Sequence, residues 1–488
     1  MDLFSRFFTD AVWDLLVAET NRYAATIREK NAHACQRPWS DVTVDEMKAF
    51  VGMLMLMGIY RLPQLEMYWS TKHPLINPGL ADVFPLVRFQ QIFRFIHLND
   101  SDQQVGVDQP GYDVLFKVRK FLDLITPLFE TEYNTQENVS IDEAMIPFKG
   151  RLRFKQYMKD KPTKWGIKVF VLADSTNGYV SRIQVYTGKN SSLSRDEVGL
   201  SSRVVLELLD GLEGRHPKVY MDNFYSSPAL FLTLYRKGVN ACGTVRPNRK
   251  YFPQELNVNK RDVDTGYYDY RSSGPLLASV WMDKRILHLL STMHVAYPSS
   301  APATVRRRAG DGTQEDVMCP PCLPDYQAYM RGVDRGDQLI GYYNLGRRST
   351  KWWKRVFYYI VEVAALNAYV LDKHAHTGRN KRDYLAFRIA LAEELVGSFR
   401  GRRQAGRPHS LETQRLERLD ISLGHWPEVV EVKRECVVCL KVREKKGLSR
   451  SQYRHESRVT CCVCQVHLCV THERDCFKKY HTLANYWS

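Results

Sequence analysis

The sequence predicts a multidomain α/β protein, and three observations carry that prediction. At 488 residues the chain is too long for a single hydrophobic core, since such cores stop growing at roughly 250–300 residues. Apolar residues recur at helical spacing from Phe4 to about Phe129, and the pattern turns to strands after Glu137. Seven of the eleven cysteines fall between Cys436 and Cys476, the distribution of a metal-binding module and not of a secreted disulfide framework.

Residues 1–135 read as a helical domain, expected to share part of 325–430. Phe89, Ile92, Phe93 and Ile96 trace one helical face, and Leu115, Val118, Phe121, Leu122 and Ile125 another. A polar loop with Gly and Pro spans residues 99–112. Val139 to Met145, Lys168 to Ala173 and Tyr179 to Thr187 then read as strands, the last two joined by a hairpin turn holding Asn177 and Gly178. Asp174, beside that turn, reads as a turn residue. Val204, Val205, Leu208, Leu209 and Leu212 mark a helix, and a strand follows that ends at Asp222. Ser227 can cap the next helix, Pro228 suits its first turn and Gly238 can close it. A strand from Val239 to Val245 completes the order β β β α β α β, which is that of an RNase H-like core over residues 136–250. Residues 251–323 interrupt it as a β-rich insertion. There Leu276 to Met282 and Ile286 to Met293 pair about a turn at Asp283 and Lys284, and a long polar loop holds Arg306, Arg307 and Arg308. Residues 324–398 return to the core with helices near 325–345, 351–375 and 381–398. A basic linker (399–434) leads to a Cys-rich domain (435–483).

The formal net charge of +16 favours a polyanionic partner, and nucleic acid is the commonest, because Lys and Arg that neutralise phosphates release condensed counterions. The longest apolar run, Ala49 to Tyr60, is too short to span a bilayer, and Asp2 and Arg6 replace a signal-peptide pattern. A soluble intracellular protein in a reducing compartment, with no membrane partner, is expected.

Asp142, Asp222, Asp334 and Asp337 stand where stability does not ask for them. Asp222 closes an apolar run, Val219 to Met221, in which Asp is disfavoured. Carboxylates suit Mg²⁺, and two ions about 4 Å apart can clamp the attacking and leaving oxygens of a phosphodiester. Most Asp residues are merely solvated, caps or turns. The surrounding segments argue for more: SIDEAMIPFKGRLRF, KPTKWGIKVFVLAD, VYMDNFYSSPAL, GTVRPNRK and YMRGVDRGDQL occur in this order. Together, from about Arg88 to the C-terminus, they resemble the piggyBac family of DNA transposases.

The resemblance implies a DDD catalytic core, with Asp142, Asp222 and Asp334 as ligands of two Mg²⁺ per active site and Asp337 as a supporting carboxylate. It also implies that the helical region 1–135 is a dimerisation and DNA-binding domain, and it implies a homodimer on double-stranded DNA, hairpinned transposon ends, cut-and-paste integration at TTAA and a nuclear location. Adjacent strand residues face opposite sides, so Glu143 is expected to turn away from the metal and pair with Lys149, Arg151 or Arg153. Asp334 and Asp337 can share one helical face, although a helix N-terminal cap is the rival reading for both.

Lys161, Lys164, Lys168, Arg246, Arg249 and Lys250 match basic positions of the family's motifs and are expected on DNA, with Tyr157 and Trp165 offering faces for exposed bases. Arg347, Arg348 and Lys351 extend this set. The resemblance places Trp353 where it stacks on a displaced base, with a core tryptophan as the rival. The run from Arg400 to Pro408 reads either as a minor-groove arm or as a charged linker.

Cys436XXCys439, Cys461XXCys464, Cys469XXHis472, Cys476 and His481 supply eight ligands for two structural Zn²⁺ per chain. By analogy with cross-braced folds, one ion takes Cys436, Cys439, Cys469 and His472, and the other Cys461, Cys464, Cys476 and His481. A sequential pairing is the alternative, and His467 competes with His481. Cys462 is spare, and Cys319 with Cys322 reads as a loop. Two other functions compete with a transposase: a domesticated DNA-binding protein that does not cut, and a ubiquitin ligase suggested by the cross-brace.

Overall fold

The computed structural model describes residues 2–30, 38–70, 78–107, 109–159, 161–188, 199–296, 303–308, 312–347, 349–376, 382–400, 418–483 and 485–487. They fall into two units, 1–401 and 402–488.

In the first unit, α1 (Asp2–Ser5), α2 (Asp10–Lys30), α3 (Val44–Ile59), α4 (Pro78–Val83), α5 (Leu86–Phe95) and α6 (Phe116–Thr131) form the helical region. Helix α3 holds the longest apolar run, and it is buried nearly all round. At Gly52 a Cβ would meet the Ala392 carbonyl at 2.8 Å, so a residue without a side chain is what lets α12 (Tyr384–Val396) lie against α3. The 24-residue α11 (Trp352–Ala375) is also buried on most sides. Its Asn367 accepts from Val180 N at 2.9 Å and donates to Val180 O at 2.8 Å, clamping the helix to a strand edge. Among the described residues no helix is long and apolar enough to cross a membrane.

The sheet has nine strands. β1 (Asn138–Pro147) pairs antiparallel with β3 (Trp165–Asp174), which also carries β2 (Gln156–Tyr157) and β4 (Val180–Val185). On its other side β1 runs parallel to β5 (Lys218–Met221), and β5 parallel to β6 (Asn240–Thr244). Helices α7 (Leu200–Leu209) and α8 (Pro228–Arg236) connect these strands, with Ser227 accepting from Leu230 N as the cap of α8. Asp174 is a turn residue: its carboxylate accepts from Thr176 N at 2.9 Å and Gln136 N at 2.8 Å.

Residues 251–323 do not stand apart from this sheet. β7 (Tyr268–Ser273), β8 (Leu276–Met282) and β9 (Ile286–Ser291) extend it through the antiparallel β6–β9 pair. The expected polar loop with Arg306, Arg307 and Arg308 is instead a ribbon, β10 (Thr304–Arg308) and β11 (Gln314–Met318). Arg306 faces Asp316 at 3.8 Å and the buried Val305 faces Val317, while Arg307 turns to Asp283 at 3.2 Å.

The alternation of β1 splits the molecule into layers. Val139 and Ile141 pack with α7 and α8, whereas Ala144 and Ile146 pack with α11 and the N-terminal helices. α9 (Cys322–Tyr329) and α10 (Gly332–Tyr342) lie on the Ala144 side.

The second unit begins earlier than the Cys-rich stretch. β12 (Pro427–Glu435) pairs with β13 (Glu456–Cys461) across α13 (Val437–Lys446), and a small pair, β14 (Val470–Thr471) and β15 (Arg474–Asp475), leads to α14 (Cys476–Thr482). The linker expected at 399–434 is therefore partly folded. Arg418, 1% exposed, donates to the Leu483 carbonyl at 2.8 Å and to that of Tyr480, between the Tyr480 and Tyr486 rings. Nearly all of the segment from Arg400 to Pro408 lies outside the described residues.

Candidate functional site

Parallel register brings the first two acids together. Ile141 pairs with Met221, and Asp142 and Asp222 are the next residue of each chain segment. Both take the face of Ala144 and Tyr220, the one covered by α9 and α10. Helix α10 reaches that face through two glycines: a Cβ at Gly332 would lie 2.4 Å from Ser140 Oγ, and one at Gly336 would lie 3.1 Å from the Gly178 carbonyl. One turn of this close-packed helix carries Asp334 and Asp337.

The Lys161 ammonium ties the acids. It donates to Asp142 Oδ2 at 3.0 Å and stands 3.9 Å from Asp334 Oδ1. Asp142 is buried, and desolvation pushes its carboxyl up to about 6 against the pull of Lys161, with Glu143 adding to the rise. Desolvation likewise raises Asp222, whose Oδ1 accepts from Phe224 N at 2.9 Å. Asp337 is pushed up to about 7 by desolvation, opposed by Lys161 and reinforced by Asp142 and Asp334. Asp334 is the open member, its side chain 60% exposed.

This is a set of hard oxygen donors, short of positive charge, with an ammonium standing where a cation belongs; it fits Mg²⁺ in kind. The carboxylates do not draw any three ligand atoms within 4.8 Å of one another, in contrast to the cysteine clusters. Glu143 turns to the opposite face as expected, but its partners differ from those expected. It accepts from Tyr225 OH at 2.9 Å and lies 3.7 Å from Lys168 Nζ, because the α8 side of the sheet is where β1 alternation sends it.

The cysteines form two sets whose ligand atoms all lie within 4.8 Å of one another, Cys436, Cys439, Cys469 and Cys476 in one, His425, Cys461, Cys464 and His481 in the other. The expected pairing is corrected on two points. Cys476 joins the first set, and His472 belongs to neither, being exposed beside the β14–β15 turn. His425, in the supposed linker, fills the place this leaves; it was missed because it has no CysXXCys spacing around it.

The separations match a tetrahedral zinc. Zn–S of 2.3 Å implies S···S edges of about 3.8 Å and S···N edges of about 3.6 Å. Cys439 Sγ lies 3.9 Å from Cys469 Sγ and 3.7 Å from Cys476 Sγ. His425 Nδ1 lies 3.4 Å from Cys461 Sγ and 3.5 Å from Cys464 Sγ, and His481 Nε2 lies 3.6 Å from Cys464 Sγ. His481 Nδ1 bonds the Phe477 carbonyl at 2.8 Å, which turns Nε2 to the cluster. The spare Cys462 has a role as well: its thiol accepts from Trp426 N at 3.3 Å and reaches Gly424 O at 3.5 Å, bracketing His425. His467 is held by the Ser457 carbonyl at 2.8 Å.

Of the residues expected on DNA, Lys164, Arg246, Lys250 and Lys351 are exposed. Lys161 is engaged by the acids, and Lys168 is buried beside Glu143. Arg249 donates to the Asn223 and Phe224 carbonyls at 3.1 and 2.6 Å, fixing the turn after Asp222. Arg347 donates to Tyr68 OH at 3.1 Å and lines a cavity of about 620 Å³ with Arg61 and Arg355. Arg348 lies outside the described residues. Tyr157 and Trp165 are exposed with ring centroids 4.8 Å apart. Trp353 is corrected: its indole is 3% exposed, packed 4.7 Å from the His97 ring, so its apolar area is spent in the core and not on a base.

Known proteins give this geometry its context. Residues 1–369 match the family model described as Transposase IS4, which sets the class. Within that class the chain belongs to the piggyBac-type transposases. It is 29% identical over 395 residues to human PiggyBac transposable element-derived protein 3, covering 79% of this chain and 63% of that one. It is 28% identical over 448 residues to human PiggyBac transposable element-derived protein 2, covering 90% and 72%. The chain thus spans less than two thirds of the first of these relatives. The fold is shared with the piggyBac transposase solved by cryo-EM as a synaptic complex with hairpin DNA, at a TM-score of 0.74 and 22% identity, over 96% of this chain and 94% of that one.

Proposed function

We propose that the protein is a DNA transposase that cuts and joins DNA by divalent-metal phosphoryl transfer on an RNase H-like core. The observation that carries this reading is the meeting of Asp142, Asp222, Asp334 and Asp337, from three separate segments, on one face of the sheet. Asp142, Asp222 and Asp334 would hold two Mg²⁺, which supply activation of a water or a 3′ hydroxyl and offset charge on the scissile phosphate. Asp337, deepest of the helix pair, supports them. No protein nucleophile is needed. Exposed Lys164, Arg246, Lys250 and Lys351 contact the DNA backbone, and Arg249 holds the loop that carries Asp222. The second unit holds two structural Zn²⁺ and reads transposon ends. Hairpinned ends, TTAA targets, a homodimer and a nuclear location follow from the family resemblance.

The test is incubation of purified protein and Mg²⁺ with a donor carrying the flanking repeats. Excision with seamless rejoining is expected, and its absence under every repeat and metal condition tried would sink the reading. The human relatives' names, transposable element-derived proteins, favour a second reading, a domesticated protein that binds the ends without cutting. Repeat-specific binding with no cleavage would select it.

A further inference from the structure

Lys161 stands on the loop between β2 and β3, and its side chain, 21% exposed, is better covered than that of Asp334 beside it. The loop carries two more cations, Lys159 and Lys164, both exposed, and is pinned across its base by Met158 N to Lys164 O at 2.9 Å. The ammonium therefore occupies an Asp142 oxygen at 3.0 Å and leans toward an Asp334 oxygen at 3.9 Å. A divalent ion bound by those carboxylates needs the same lone pairs, and an ammonium so close to it is repelled. Lys168 is within electrostatic reach of Asp142 and Asp222, but its ammonium is placed against Glu143 at 3.7 Å, on the other face of β1, and occupies no oxygen of the acids.

We propose that Lys161 is a resident counter-ion that holds the acids in the free protein and, displaced by the divalent ion, transfers to the phosphate at the cutting site. The idea rests on the phosphoryl-transfer reading and adds to it a coupling. DNA phosphate draws the ammonium off the carboxylates, so DNA strengthens metal binding, and by linkage metal strengthens DNA binding by the same factor. The long, flexible lysine stem suits a cation that must change partners, where a planar guanidinium would be held by two-point contacts.

The experiment is Mn²⁺ binding to the zinc-loaded full chain, followed by electron paramagnetic resonance at pH 8, with and without a short DNA duplex. Lys161→Met is expected to bind Mn²⁺ about tenfold more tightly than wild type without DNA and to lose most of the DNA-dependent gain, while its duplex cleavage falls. Lys161→Arg keeps the charge and should remain weak for Mn²⁺ without DNA. Thermal melting of both variants checks folding. Equal or weaker Mn²⁺ affinity in a folded Lys161→Met overturns the counter-ion role alone, whereas no Mn²⁺ binding by any variant, with or without DNA, overturns the phosphoryl-transfer reading beneath it.

Discussion

Gly332, the first residue of α10, lies against Ser140 of β1 so closely that a Cβ there would sit 2.4 Å from the Ser140 Oγ. The Ser175 Cα and the Asp174 carbonyl would be at 2.9 and 3.0 Å, so trimming Ser140 leaves backbone in the way. This contact sets how deep the helix rides and hence where Asp334 and Asp337 stand. Gly332→Ala should cost about 1–3 kcal/mol through overpacking and lower strand cleavage more than DNA affinity. Adding Ser140→Gly should not restore it. Cleavage at the wild-type rate in Gly332→Ala would falsify the link between helix depth and the acid site.

Asp142→Ala, Asp222→Ala and Asp334→Ala should each abolish strand cleavage while DNA affinity measured without divalent ion changes by less than about threefold, because none of these residues is a phosphate contact. Asp337→Ala should be milder. Gel assays of cleavage and of binding, run on the same preparations, separate the two effects.

The core was legible because strands and helices there follow simple periodicity, and Asp222 ends an apolar strand where propensity alone gives no reason for it. The ribbon holding Arg306 to Arg308 was not, since its strands are short and rich in charge, and the single valine that each brings to the Val305–Val317 pair is too little for a hydrophobic pattern to register. Trp353 and Lys168 looked like DNA contacts from their motifs, but burial is a property of what packs against them from distant segments. His425 gave no local signal at all. The thiol of Cys462, spare in the sequence, is what brackets the His425 turn in the fold.

Carboxylates that titrate near neutrality make the acid site pH-dependent. Asp142 at about 6 and Asp337 at about 7 bind protons in the folded state well above the ordinary Asp value of 3.8. The folded protein without added divalent ion thus holds more protons than the unfolded chain between roughly pH 4 and 7. The stability due to these groups is complete below about pH 4 and is lost as pH rises through 6 and 7. Denaturant unfolding should show a loss on the order of 3 kcal/mol between pH 5 and pH 8, largely restored by millimolar Mn²⁺ at pH 8. Because protons compete with the metal, Mn²⁺ affinity should rise over the same interval. A flat affinity from pH 5 to pH 8 would remove the two carboxylates from the metal site.

DNA affinity should fall steeply with salt. Replacing Arg246 and Lys250, both exposed, should lower the slope of log affinity against log salt by about 2. Arg249→Gln should behave differently, reducing cleavage with little change in slope, because its guanidinium is committed to the Asn223 and Phe224 carbonyls beside Asp222. Identical salt slopes for wild type and the Arg246, Lys250 double variant would take that segment off the DNA.

The two cysteine clusters make a prediction that separates the geometry from the expected spacing. If His425 completes the second tetrahedron, His425→Ala should leave about one tightly held Zn²⁺ per chain in place of two, as His481→Ala should, because three ligands bind a structural zinc far more weakly than four. His472→Ala, exposed and outside both clusters, should keep two. Cys462→Ser should retain the metal yet loosen it, since a hydroxyl only weakly replaces the thiol that brackets the His425 turn. The region from residue 418 should fold as one metal-dependent unit, because Arg418 is buried against Tyr480 and Tyr486. A fragment starting at residue 435, as the cysteine spacing alone would suggest, should bind only one Zn²⁺ tightly. Elemental analysis after dialysis against a weak chelator reads all of these, and two zincs per chain in His425→Ala with one in His472→Ala would restore the original pairing.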